Sequence, residues 1–520
     1  MTTGDGARAI VRTRILRDTY RDSVELMRVA AEIERLPAVH RAALLVATPA
    51  NLDVLKSAGL LDPAAPSARP SDLVVAVACD GESAAESALA RAVALIATAA
   101  GPAETSSARQ PPATITHALA EDPAAALAMI STPGPYATAE ALKALKRGLH
   151  VFLFSDNVSV ADELELKRLA VRKNLLLMGP DCGTAIMDGV PLGFANAVRR
   201  GRIGLVAASG SGLQQVVCLI DRLGQGVSQA IGVGGRDLDE RIGGLMMRAA
   251  LDRLAGDADT AVVVLISKPP APAVSQRVME RARSAGKPVV VCFLGGDPAI
   301  IRAAGATPAP TLEDAALLAA NLAGGGGHAT PDARSAANGD DELARAVSER
   351  AARQAPGQRA LRGLYSGGTL AYEAALLLED AIPDARARGV HTLLDLGDDE
   401  FTVGRPHPMI DFRLRNERIA AAAEDPATAV VLLDVVLGYG SHPDPAAELA
   451  PVIETARAVA TRAGRELIVI GSVCGTAGDP QRLANQQARL SAAGMLLASS
   501  NARAARLAIG VVRNETGGRR

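Results

Sequence analysis

The sequence predicts an α/β protein assembled from several doubly wound domains with parallel sheets. Three observations carry this. Short β-branched apolar runs alternate with longer helix-patterned stretches along most of the chain. Those runs lack polar alternation, as strands buried on both faces require. A block of motifs also occurs twice in the same order. The 520 residues leave room for about three to five domains, each able to bury its own core.

From Arg12 to about Pro102 the rhythm is strand, helix, three times over. Ala9–Ile15, Ala42–Ala47 and Leu73–Ala78 read as strands, and Asp22–Arg35, Ala50–Ala58 and Ser83–Ala99 as helices. This small α/β domain is placed at 1–108, ending in the polar, proline-bearing join Ser106–Ala113. Strand-like runs follow at Leu127–Ser131, His150–Phe154 and Leu175–Met178, giving a domain over 109–200. Ile203–Ala207, Val227–Val233, Ala261–Ile266 and Pro288–Leu294 give the next, over 201–323. The stretch 324–358 reads as a flexible linker through Asp341, then a polar helix near Glu342–Arg353, and the last domain fills 359–520.

The repeat joins those last two domains. The first block reads RIGLVAASGSGLQQ, GVGGRDLDERI, DADTAVVVLISKPP and GKPVVVCFLGGDP. The second reads RGLYSGGTLAYE, DLGDDEFTVGRPHPMID, DPATAVVLLDVVLGYG and GRELIVIGSVCGTAGDP. Ser209 matches Ser366, Val262 matches Val430, and Asp297 matches Asp479. The offset grows steadily along the block, as loop insertions make it. Two homologous flavodoxin-like domains are the expectation.

Composition removes several function classes. The 55 basic and 57 acidic residues leave a net charge of −2, no electrostatic footprint for nucleic acid. Aromatic residues make up 2% and Trp is absent, so base-stacking platforms are scarce. No run approaches the ~18 apolar residues of a membrane span, and Met1–Thr13 has no apolar core of a signal peptide. The five cysteines are unclustered and never CxxC, which fits a reducing cytoplasm and predicts no metal site.

Each repeat opens with a strand running into a Ser/Gly/Thr cluster and then a helix: Ser209, Gly210, Ser211 and Gly212 in the first, Ser366, Gly367, Gly368 and Thr369 in the second. Glycines permit close backbone approach, hydroxyls donate, and a helix N-terminus presents free N–H groups with partial positive charge. The pattern suits phosphate; the other reading is a tight turn with an ordinary N-cap. If the repeats pack as a pseudo-dimer, both helix ends face one phosphate.

A second glycine turn follows, with Gly234, Gly235 and Arg236 in the first repeat and Asp398, Asp399 and Glu400 in the second. At the carboxyl ends of strands such turns line the ligand crevice. Arg236 there would pair with an oxyanion, and the acidic turn would hold Mg²⁺, orient an amide, or simply be solvated. Lys268, one of seven lysines, ends a strand in LISKPP, where it neutralises developing charge or lies on the surface. His407 and His442 each precede a proline after strand ends, as turn residues or as acid–base groups. Cys182 follows another strand with no basic partner nearby.

These motifs resemble the succinyl-CoA synthetase superfamily. STPGPYATAEALKALKRGLHVFLFS and LLLMGPDCGT are similar to the second half of its CoA-binding domain, which makes 109–200 a shortened version of that domain. RIGLVAASGSGLQQ with GVGGRD resembles the ligase domain of its alpha subunit, and YSGGTLAYEA that domain's phosphate-binding helix. The order of parts, with an extra N-terminal domain and two fused CoA-ligase-type domains, is similar to the FdrA family over nearly the whole chain. The family's active-site histidine loop reads FLGGDPAIIRAAGA here, without histidine. No glycine-rich pyrophosphate loop precedes the STPGP strand, and no nucleotide domain remains to be placed.

The resemblance therefore implies a carbamoyltransferase of the oxamate type in ureide breakdown, exchanging a carbamoyl group between an amide and phosphate. Phosphate or carbamoyl phosphate is then a substrate and no cofactor is required. Lys268, Arg236 and His407 are the candidate catalytic residues. Partners are a small ureide or amide, phosphate, and further subunits of a hetero-oligomeric enzyme, without nucleic acid or membrane. The alternatives are an acyl-CoA synthetase, which would bind CoA, and a non-catalytic scaffold subunit.

Overall fold

The computed structural model describes residues 9–19, 21, 23–62, 67–98, 112–324, 331–385, 387–402 and 406–516. Two units emerge, one of 1–113 with 398–411 and one of 114–397 with 412–520.

The first unit runs β1 (Ile10–Leu16), α1 (Ser23–Glu34), β2 (Val39–Val46), α2 (Pro49–Ser57), β3 (Leu73–Cys79) and α3 (Glu82–Thr98). Every residue of β3 is buried. A strand so apolar needs cover on both faces and both edges, and it takes the middle of the sheet in the order β1-β3-β2. Both of its pairings are antiparallel, so this sheet departs from the parallel pattern expected. Leu26, Ile33 and Ala88 pack on one face of it, Leu55 and Leu60 on the other.

The second unit begins with α4 (Ile115–Glu121), β4 (Leu127–Ile130), α5 (Gly134–Lys146), β5 (His150–Leu153), α6 (Val160–Arg172) and β6 (Leu177–Met178). Its three strands form a parallel sheet in the order β4-β5-β6. A hairpin follows, β7 (Thr184–Met187) and β8 (Val190–Gly193), turning on Asp188 and Gly189 with φ of 50° and 82°. Positive φ at both central residues is what a tight two-residue hairpin needs.

The first repeat comprises β9 (Arg200–Ala207), α7 (Gly210–Arg222), β10 (Val227–Gly232), α8 (Leu245–Gly256), β11 (Val262–Ser267), α9 (Pro272–Arg283), β12 (Val289–Phe293), α10 (Pro298–Ala303), β13 (Thr307–Pro308) and α11 (Leu312–Ala323). Its sheet has seven strands, β13-β12-β11-β9-β10-β7-β8, because the hairpin extends it through β10 and β7. The hairpin therefore belongs to this sheet, and a domain boundary at 200 cuts through it.

Helix α12 (Pro331–Ala351) follows, beginning ten residues before the expected end of the linker at Asp341. Pro at a first helical position and the alanines behind it favour that start. The second repeat comprises β14 (Ala360–Tyr365), α13 (Gly368–Ala381), β15 (Thr392–Asp395), the short α14 (Asp399–Thr402, counted with the first unit), α15 (Arg413–Glu424), β16 (Thr428–Val436), α16 (Pro445–Arg462), β17 (Ile468–Cys474), α17 (Leu483–Ala492), β18 (Leu496–Ala498) and α18 (Asn501–Thr516). Its parallel sheet runs β15-β14-β16-β17-β18.

Set aside the hairpin, and both repeats share one strand order, with the first strand between the second and the third. That order is flavodoxin-like. Its switch point, where ligand crevices form, lies between β9 and β11 in one repeat and between β14 and β16 in the other.

Candidate functional site

Each first strand delivers its Ser/Gly cluster to a helix start at that switch point. Ser209 caps α7, its Oγ accepting from Gly212 N at 2.9 Å. The start of α13 lies against it. Ser209 Oγ and Thr369 Oγ1 are hydrogen-bonded at 2.6 Å, and Thr369 N donates to Ser211 Oγ at 3.2 Å. A Cβ on Gly212 would lie 3.1 Å from Thr369 Cγ2, and one on Gly367 would lie 2.8 Å from Ser211 Cβ. Glycine at both places is what lets the two helix ends touch. The pairing expected of a pseudo-dimer is present.

The two ends differ in what they have left to offer. Among the described residues none accepts from the amides of Gly210 or Ser211, and Gly210 remains partly exposed. At the other end the amides of Ser366 and Gly367 are taken. Ser366 N donates to Asp434 Oδ1 at 2.8 Å, and Gly367 N to Oδ2 at 2.7 Å. Ser366 Oγ donates to Oδ2 at 2.9 Å. Ser366 and Gly367, expected to hold phosphate, thus hold a carboxylate of the chain itself. Gly368 faces a second one: a Cβ there would meet Asp395 Oδ2.

Asp434 is the one charged residue of β16, whose nine residues are all buried. A buried carboxylate without partners costs several kcal/mol, so these three bonds are what make it tolerable. Arg415 of α15, also fully buried, adds a bond from Nη1 to Asp434 O at 2.6 Å, with Nη2 3.4 Å from Oδ1.

The rest of each strand-end crevice is covered by the other repeat's helix. On α13, Tyr372 sits 5.5 Å from Lys268 Nζ, and Leu376 lies against the turn at Gly295. Further along, Glu373 accepts from Leu312 N at 2.8 Å and from Asn501 Nδ2 at 2.8 Å. Burial pushes its carboxyl up to about 7, against the pull of those two bonds. On α7, Arg222 donates to Gly475 O and Ser499 O, and Cys218 Sγ lies 3.9 Å from Cys474 Sγ. Burial raises the Cys218 thiol far above its usual range.

The second glycine turn has a different task from the one expected. A Cβ on Gly234, whose φ is 84°, would lie 2.5 Å from Pro180 O, so this buried glycine serves the packing of the 179–184 loop. Gly235 is exposed, with open space around it. Arg236 turns away from an oxyanion role: it donates to Val158 O at 2.8 Å and pairs with Glu163 at 2.9 Å. Glu163 in turn meets Lys167 at 2.8 Å, and Lys167 meets Asp237 at 2.9 Å, all three fully buried or nearly so. This network ties α6 to the turn.

Lys268 is exposed at the end of β11, next to α13. His407 belongs to the first unit, the joined helix ends to the second; its Nδ1 accepts from Met409 N at 3.2 Å. Asp398, Asp399 and Glu400 also fall in the first unit. His442 packs edge-on against Phe412 and accepts from Asp444 N at 3.1 Å. Burial pushes the Cys182 thiol up to about 12, so it is no nucleophile. The turn after β12 carries Asp297, which caps α10 through Ala299 N, where a relay histidine would stand. A hollow of about 360 Å³ beside Asp444, Gln481 and Arg489 shares no residue with the helix ends.

Asp434, Arg415, Asp395 and Glu373 were not singled out from the sequence. Only Asp434 had a signal there, a lone acid within VVLLDVV.

At the turn opening α5, a Cβ on Gly134 would lie 2.5 Å from the carbonyl oxygens of Asp156 and Asn157, so glycine there lets α5 pack on that loop. Among the described residues no group of three or more His, Cys, Asp or Glu is placed to hold a metal ion. In the first unit Cys79 is buried in β3, and His40 is bonded to Asp80.

Residues 364–511 match the CoA-ligase family, 198–295 the CoA binding domain, and 8–112 the AllF heavy metal-associated domain. The CoA-binding match thus falls on the first repeat. The "Uncharacterized protein YahF" of Escherichia coli is 43% identical over 501 residues, 93% of this chain and 95% of that one. The succinate–CoA ligase alpha subunit of Aquifex aeolicus is 27% identical over 146 residues, and alpha subunit 2 of Archaeoglobus fulgidus 28% over 144. The chain spans about half the length of these two, 47% and 49%. Among solved structures, ATP citrate lyase from Methanothrix soehngenii aligns over 77% of this chain and 83% of its own, at 12% identity and a TM-score of 0.36. No helix among the described residues is long and apolar enough to cross a membrane.

Proposed function

The chain belongs to the family of Escherichia coli YahF, and from that membership and the joined helix ends we propose that it is an FdrA-type carbamoyltransferase subunit. Its reaction is phosphorolysis of a carbamoylated amide such as oxalurate, within a hetero-oligomer of ureide breakdown. A phosphate oxygen attacks the carbamoyl carbon, the carbon–nitrogen bond breaks, and the proton given up by phosphate ends on the amide nitrogen. The products are carbamoyl phosphate and oxamate.

The contact of Ser209 and Ser211 with Thr369 is the observation that carries this reading. It presents an open helix end to an acyl phosphate, where positioning and fixed donors supply rate enhancement. CoA-ligase-type enzymes also handle acyl phosphates, and carbamoyl phosphate is one that needs neither relay histidine nor CoA. The turn after β12 lacks the histidine. The AllF match supports a place in allantoin breakdown. Lys268, exposed at a strand end, is the candidate to stabilise charge on the attacked carbonyl.

An acyl-CoA synthetase is the second reading, favoured by the CoA-ligase and CoA-binding matches. The test is phosphate-dependent formation of carbamoyl phosphate from oxalurate, with and without co-purified subunits. Tight CoA binding, with thioester formed from a carboxylate and ATP, would transfer the assignment to the second reading.

A further inference from the structure

We infer that the two helix ends are unequal anion seats: Asp434 is a built-in carboxylate filling the seat of the second repeat, and only the start of α7 takes an exogenous phosphate. The identity of that anion rests on the carbamoyl phosphate reading; the inequality of the seats does not. Asp434 acts here as a positioning residue.

The donors a phosphate would use at the second seat are the ones Asp434 occupies, the amides of Ser366 and Gly367 and the Ser366 hydroxyl, all within 2.9 Å. A carboxylate presents two acceptor oxygens to them, as an edge of phosphate would. In the strand pairing Ile266 lies opposite Ala207 and Leu433 opposite Leu364, and Ala207 matches Leu364 in the repeat, so the residue standing where Asp434 stands is Ser267. A serine brings no charge, and among the described residues none accepts from the amides of Gly210 or Ser211. Aspartate in one repeat and serine in the other thus separate a filled seat from an open one.

Arg415 is an independent sign that this place is built around an anion. It is fully buried, with the Phe412 ring 5.2 Å from its guanidinium carbon. Its Nε and Nη2 have no hydrogen-bond acceptor, although Nη2 is only 3.4 Å from Asp434 Oδ1. Without Asp434 this cation would be buried and uncompensated, beside two freed amides. Such a place recruits a small anion. If Asp434 were merely a cap on α13, its loss would weaken the helix start without creating an anion site.

Calorimetric titration with inorganic phosphate should give one site per chain in the parent and two in Asp434→Ala. Formate or acetate, refilling the seat, should raise the melting temperature of Asp434→Ala by several degrees and leave the parent unchanged. Should that variant fail to fold, Asp434→Ser with Arg415→Met places the first repeat's serine at the seat, removes the stranded charge, and should bind two phosphates. Two phosphates in the parent, or a folded variant with no added phosphate site and no formate effect, overturns the inference. A parent binding no phosphate defeats the carbamoyl phosphate reading, and the formate arm then decides alone. One bound phosphate without phosphorolysis defeats that reading and leaves the unequal seats standing.

Discussion

Ser209 and Thr369, 160 positions apart, share a hydrogen bond of 2.6 Å between their side-chain oxygens. The bond joins the two repeats at the first turns of α7 and α13, and Thr369 is 5% exposed. A hydrogen bond of this kind contributes about 0.5–1.5 kcal/mol. In a cycle of Ser209→Ala and Thr369→Val, urea unfolding should return a coupling energy of that size. Phosphate affinity should fall with either change, because α7's open amides are oriented by the contact. Additive effects on stability would mean the bond is not formed in solution.

Gly210 and Gly367 occupy matched places in the repeat yet should respond differently to valine. A Cβ on Gly210 meets only Thr184 Oγ1, at 3.4 Å, so Gly210→Val should fold and lose phosphate binding by crowding the open amides. A Cβ on Gly367 would press on Ser211 Cβ at 2.8 Å and Asp434 Oδ2 at 3.1 Å. Gly367→Val should therefore lower the melting temperature before any question of binding arises. Equal stability of the two variants would contradict the contact geometry.

Glu373 gives stability a pH dependence with a definite sign. Burial raises its carboxyl from 4.5 to about 7 in the folded chain. Between those values the folded state holds a proton that the unfolded state has released, so stability falls as pH rises through the window. The contribution is complete below 4.5, and by about 7 on the order of 3 kcal/mol of it is gone. Glu373→Gln should flatten unfolding free energy across this range. A slope equal to the parent's would place the titration elsewhere.

What the sequence made legible was whatever depends on local pattern. The strands β11 and β16 are β-branched or leucine-rich and wholly buried, and their duplicated flanks announced the repeat. The Ser/Gly clusters were legible as helix starts because strand, turn and helix are contiguous. Partners distant in sequence were not. Arg236 sits in a turn that lines a crevice in principle, but Glu163 on α6 claims it. The lone Asp434 signalled a need for partners without saying that they are Ser366 and Gly367, 68 and 67 residues away. The hairpin at Asp188 and Gly189 was not read from the sequence, and the sheet it joins is set by its pairing with β10, further along the chain.

Lys268 is the residue on which the chemical proposal is most exposed to failure. It ends β11 at the surface, 5.5 Å from the Tyr372 ring on the helix that begins at the joined ends. An exposed cation–π contact contributes about 0.5–1 kcal/mol, so Lys268→Met should change unfolding free energy by no more than that. A fixed positive charge acting on a developing oxyanion is worth far more to rate, on the order of 10²–10³-fold. The variant should thus form carbamoyl phosphate that much more slowly with its melting temperature nearly intact. Lys268→Arg, which keeps charge but not the compact ammonium, should recover part of the rate. If Lys268→Met turns over as the parent does, the lysine is a surface residue and charge stabilisation must come from elsewhere. The open amides of Gly210 and Ser211 are then the donors to test next.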